Sequence, residues 1–230
     1  QLIMLQVPGI DLEQTGAAAI TDIERSLDAD APIVVINADT GEQHLIFAEL
    51  DANTDEASEQ ALLIRPMQQF ARGGRYIVAL RGLRDGNGEA IEAPEVFRAY
   101  RDGTVTDNTA IEDRRDAMEA IFATLADAGI AREELYLAWD FSIASVQNIT
   151  ERLLHIRDEA FADLGSAAPL FEVAAVTEFA PCGDDGCAEG EDEQISREFA
   201  GTFQVPNFLA SDEGGPGSTF YYADPDDGLP

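Results

Sequence analysis

Leu135-Tyr-Leu-Ala-Trp-Asp-Phe-Ser-Ile143 alternates without a break. Leu135, Leu137, Trp139, Phe141 and Ile143 fall on one side, and Tyr136, Ala138, Asp140 and Ser142 on the other. A period of two is the signature of a strand, and this one predicts a large apolar face. A helix is expected on either side of it. Upstream, Met118, Ile121, Phe122 and Leu125 recur at helical spacing between Thr109 and Gly129. Thr109 and Glu112 have capping-box spacing, and Gly129 is placed to end the helix. Downstream, Ile149, Leu153, Ile156, Ala160 and Leu164 form a stripe over 146–164, with Ser145 as cap and Gly165 as stop.

Farther out the chain reads as strands. Upstream these are Leu2–Val7, Pro32–Ile36, His44–Phe47, Ala61–Ile64 and Arg75–Leu80; downstream they are Leu170–Phe179, Glu198–Val205 and Phe220–Tyr222. The turn signal Asp39-Thr-Gly41 predicts that Pro32–Ile36 and His44–Phe47 form a hairpin. Short helices are expected over Ala17–Leu27, capped by Thr15, and over Pro94–Tyr100. Strand and helix do not alternate as in a parallel α/β sheet, and no Gly-rich phosphate loop occurs. The expected class is α+β and β-rich: an immunoglobulin-like β-sandwich with inserted helices at about 109–129 and 146–164. Two domains are expected, 1–145 for the sandwich with its helical insertion and 146–230 for a helix, a small β unit and a C-terminal linker.

Charge narrows the function classes. Fourteen basic residues face 45 acidic ones, a formal net charge of −31. That field repels phosphate backbones and anionic lipid, which argues against nucleic-acid and membrane partners. No apolar run reaches the roughly 20 residues a transmembrane helix needs. Hydration in a salty habitat and calcium loading are the two readings of the carboxylates. The calcium candidates are Asp184, Asp185, Glu191 and Asp192; no other cofactor is expected. Cys182 and Cys187 lie too few and too far from histidine for zinc, and their spacing is not C-x-x-C. A small disulfide loop in an oxidising compartment is the expectation, with free thiols as the alternative. The first residue is Gln1 and no leader pattern follows, so the chain reads as processed or truncated. The tail Asp224–Pro230 reads as a linker, from which the parent protein is expected to continue.

No catalytic set stands out. Gly-x-Ser-x-Gly is absent, and Ser166 and Ser218 each lack part of it. His44 and His155 read as structural histidines, Asp140 as a hydrogen-bonded strand residue and Trp139 as core. Asp85-Gly-Asn-Gly-Glu89 starts like a calcium loop, but Ala90 and Val96 stand where that loop needs glycine and glutamate, so a turn is expected.

Two segments carry a family resemblance. Arg75-Tyr-Ile-Val-Ala-Leu-Arg-Gly-Leu-Arg-Asp-Gly-Asn-Gly88 and Leu135–Ser145, continued by Leu154-His-Ile-Arg-Asp-Glu-Ala-Phe161, are similar to large secreted bacterial lipase- and esterase-like proteins. The likeness spans about Val7 to Val205, with Gly82 where asparagine is expected. It implies a non-catalytic region ahead of an α/β-hydrolase domain, whose nucleophile lies beyond this chain, so no catalytic residue is assigned here. The expected partner is that C-terminal catalytic domain, and the expected location is secreted or at a bacterial cell surface. A stand-alone structural or adhesive module, assembling through strand edges, is the competing reading.

Overall fold

The computed structural model describes residues 2–229 apart from 55, 57, 180–194, 212–213, 223, 225 and 227–228. The chain divides into two compact units, Gln1–Val146 and Gln147–Pro230. It is mixed α+β, with strands in small antiparallel sheets.

Unit 1 runs through β1 (Ile3–Gln6), α1 (Leu12–Thr15), β2 (Ile33–Asn37), β3 (Ile46–Leu50), β4 (Ala61–Pro66), β5 (Arg75–Arg81), α2 (Glu95–Arg101), α3 (Thr109–Glu112), α4 (Arg115–Asp127) and β6 (Leu135–Ser142). Two three-stranded sheets form, in the orders β1-β4-β3 and β2-β5-β6. The second holds the core. Ile33 to Ile36 and Ile77 to Leu80 are buried along their whole length, so β2 and β5 are covered on both faces. A two-layer sandwich leaves one face of each sheet wet. Here α4 packs on β6 and on α2, and its Met118, Ile121, Phe122 and Leu125 join the same core.

That burial explains why β2 and β3 part company. The Asp39–Gly41 turn forms: Asn37 Oδ1 accepts from the Asp39 amide, and Gly41 takes a φ of 72°. The Asn37 amide donates to Glu42 O and the His44 amide to Val35 O, so a hairpin begins. It stops there. β2 pairs with β5 and β3 with β4, because a strand apolar on both faces needs a partner apolar on both faces. The predicted hairpin is therefore only its own turn.

The helix expected over Ala17–Leu27 is also displaced. α1 starts earlier, where Asp11 Oδ1 accepts from the Gln14 amide, and stops at Gly16 with φ 77°. Thr15 does not cap a helix. Its hydroxyl accepts from the Arg84 amide and donates to the Arg84 carbonyl. The following segment covers the open edge of β3: the Ala48 amide donates to Ala18 O, and the Ile46 amide donates to the buried hydroxyl of Ser26. A 3₁₀ turn over Ile23–Leu27 presents that hydroxyl, which itself donates to Ile23 O. Ser26→Ala strands the buried Ile46 amide and is expected to cost about 1–3 kcal/mol in urea unfolding. A cost below about 0.5 kcal/mol would mean that water replaces the hydroxyl.

The helix expected over 109–129 forms as α3 and α4, with Asn108 as the true cap: its side chain accepts from the Ala110 amide. Glu112 turns away from Thr109. Its carboxylate accepts from the Thr106 amide and hydroxyl and from Arg115. Arg115, then Thr106, hold its carboxyl at about 2 from an ordinary 4.5. A carboxyl depressed by folding stabilises the fold above its unfolded pKa, and that contribution is lost as pH falls from about 4.5 toward 2. Glu112→Gln should therefore lower the urea midpoint at pH 7, with the gap to the parent closing on acidification. A gap independent of pH would exclude the carboxylate as its source. Gly129, at φ 80°, ends α4 as expected.

Unit 2 contains the rest of α5 (Val146–Leu164), then β7 (Phe171–Glu178) and β8 (Arg197–Phe203), which form a two-stranded antiparallel ribbon. The Phe220–Tyr222 strand is not formed; Phe220 makes a single bridge to Leu209.

Candidate functional site

Several residues singled out in the sequence are held by structural contacts. Asp140 and Arg75 are diagonal neighbours across β6 and β5, and Arg75 Nε donates to Asp140 Oδ2 at 2.7 Å. Trp139 is half-buried beside its cross-strand partner Val78 and packs on the core. Both faces of β6 reach the core: Leu135, Tyr136 and Ala138 are buried, and Leu137, Trp139 and Phe141 are half-buried against it. Burial raises the pKa of the Tyr136 phenol. His44 Nε2 lies 3.0 Å from Gln68 O, and its ring rests on Phe70 and Tyr76. His155 is half-buried on α5. Ser218 shares a hydrogen bond with Ser211 across an exposed loop, and Ser166 is exposed.

Asp85 is turned onto its own loop. Its Oδ1 accepts from the amides of Asn87 and Glu89, both at 2.9 Å, and those amides hold its pKa below the ordinary carboxylate value. Gly88, at φ 79°, completes the turn. Among the described residues no three His, Cys, Asp or Glu side chains gather as a metal-ligand set. The disulfide candidates Cys182 and Cys187 and the calcium candidates Asp184, Asp185, Glu191 and Asp192 lie outside the described residues. Among the described residues no helix is long and apolar enough to cross a membrane.

What remains without an occupation is the surface of unit 2. No residue of α5, β7 or β8 is buried. The ribbon is nevertheless strictly two-faced. Phe171 pairs with Phe203, Val173 with Gly201, Val176 with Phe199 and Glu178 with Arg197, all on one side. Glu172, Ala175, Thr177, Glu198, Ala200 and Thr202 take the other side. A bulge at Ala174 makes this possible, because one residue of slip returns Val176 to the aromatic face after Val173. Opposite the bulge stands Gly201, where an added Cβ would fall 2.2 Å from Glu172 O. Gly201→Ala is thus expected to open the ribbon, read as lost amide-exchange protection at Val176 and Phe199 with unit 1 unchanged. Retained protection would show that the bulge can shift to make room.

Strict alternation in Phe199-Ala-Gly-Thr-Phe203 carries the signal for this face. In β7 the bulge breaks the same signal, so the sequence yields two strands but not their common side. Neither a protein-family model, nor a curated protein, nor a solved structure matches this chain.

Proposed function

We propose that this chain is a non-catalytic accessory region of a secreted bacterial carboxylic-ester hydrolase, packing on or spacing its catalytic domain. The observation that carries this reading is the uncovered aromatic face of the β7–β8 ribbon. Phe171, Phe199 and Phe203 are 70%, 60% and 68% exposed on one side of one ribbon. Exposed apolar patches of this kind mark contact surfaces, and a two-stranded ribbon alone is marginal in water. The segments Arg75–Gly88 and Leu135–Ser145, which resemble the region ahead of such hydrolase domains, support the hydrolase assignment. Unit 1 in this reading is the spacer, immunoglobulin-like in its antiparallel pairing but with helices against the sheet edge. The test is turnover of p-nitrophenyl butyrate. This chain alone should give the buffer rate, and hydrolysis that a serine-directed inhibitor stops would refute the reading.

A second reading, a structural or adhesive module joined through strand edges, is favoured by β7 and β8 having one strand partner each among the described residues. Concentration-dependent fibres or a gain in strand content on assembly would favour it over the first.

A further inference from the structure

We infer that the aromatic face of the β7–β8 ribbon docks on an apolar protein surface rimmed by lysine and arginine, and not on a second copy of this chain. The inference rests on the reading above that unit 2 packs on another polypeptide, and it adds the chemistry of that polypeptide's surface. The apolar half of the complementarity is the row Phe171, Val173, Val176, Phe199 and Phe203. The row is built to be one-sided, since the bulge at Ala174 and the bare Gly201 are both needed to keep Val176 on it. A ribbon facing water on both sides has no use for that register.

Charge decides the other half. Residues 147–230 carry 18 Asp and Glu against three Arg, and the whole chain has no lysine. The three arginines are already engaged. Arg157 pairs with Asp158; Arg197 pairs with Glu178 and lies over the Phe199 ring; Arg152 lies over the Tyr222 ring. On the ribbon itself three carboxylates, Glu172, Glu178 and Glu198, stand against the one arginine Arg197, so two copies joined through this face would set like-charged ribbons against each other, a repulsion felt within the Debye length of about 10 Å at 0.1 M salt. An anionic lipid surface meets the same objection. A basic rim reverses the sign and steers approach as well as adding contact.

The full chain is titrated with a fluorescein-labelled amphipathic peptide of about 18 residues, leucine on one face and lysine on the other. A leucine–glutamate analogue and a glycine–lysine peptide of equal positive charge serve as comparisons. The leucine–lysine peptide alone should bind by anisotropy at about 0.1 M NaCl, weakening several-fold at about 0.5 M. Phe199→Ser with Phe203→Ser should weaken it at least about tenfold, an effect of about 1.4 kcal/mol, with the unfolding of unit 1 unchanged. The proposal is overturned if the glycine–lysine peptide binds equally, if the serine substitutions change nothing, or if no peptide binds. It is equally overturned if the leucine–glutamate peptide binds as well, or if sedimentation shows a dimer that the same substitutions dissolve. Ester turnover plays no part in this readout, so either reading can fail while the other stands.

Discussion

Ile77→Ala and Leu80→Ala, each made alone, should lower the unfolding free energy of unit 1 by about 3–4 kcal/mol. The two side chains point to opposite faces of β5, and both are 0% exposed. Ile77 lies between Ile36 and Asp140, and Leu80 between Ile33 and Leu137. Deleting three methyl or methylene groups from either site loses their transfer energy and leaves a cavity that the packed sheet closes only in part. Equality of the two costs is the informative part. A two-layer sandwich keeps one face of each strand wet, so one of the two substitutions would cost under about 1 kcal/mol. The measurement is urea unfolding followed by the fluorescence of Trp139. It is the one tryptophan in the chain and sits on β6, so the signal belongs to unit 1. A markedly unequal pair of costs would sink the two-sided burial of β5.

What the sequence shows and what it hides divides by the range of the signal, in both units. β6, α4 and α5 were legible because period two and period 3.6 are local signals, and Gly129 and Gly165 end their helices by a conformation other residues avoid. Pairing was not legible. Asp39-Thr-Gly41 is a genuine turn, yet which strands lie beside β2 depends on where strands apolar on both faces find each other, a long-range matter. The displaced helix near Gly16 has a local cause that competing signals hid. Asp11 is as good a cap as Thr15, and Thr15 has its hydroxyl on Arg84, far off in the sequence. For the candidate surface, the charge balance bears on the kind of partner but says nothing of where a contact face lies. The face itself was hidden by the bulge, which breaks period two in β7 while restoring it in space.

Arg81→Ala should cost about 3 kcal/mol in the same unfolding experiment, while Glu134→Gln costs under about 1 kcal/mol. Arg81 ends β5 where the register with β6 shifts, and it is 7% exposed. Its guanidinium ties together three parts of the chain. Nε donates to Ala31 O at 3.0 Å, Nη2 donates to Ala29 O, and Nη1 reaches Glu134 Oε2 at 3.2 Å. The two carbonyls belong to the loop that leads into β2, and Glu134 to the 3₁₀ turn that leads into β6. The planar fork suits this task, since one group satisfies two neighbouring carbonyls and still holds a carboxylate. Glu134 keeps 57% of its side chain in water, so its share of the pair is screened and small. The carbonyl of buried Ala31 has no such exit, whereas exposed Ala29 can turn to water: without Arg81 the Ala31 carbonyl loses a charge-assisted partner, and the side chain's volume is vacated beside the core. Arg81→Lys should recover less than half of the loss, because a point charge on a flexible stem cannot span both carbonyls. If Glu134→Gln proved as costly as Arg81→Ala, the ion pair and not the loop clasp would be what this arginine is buried for.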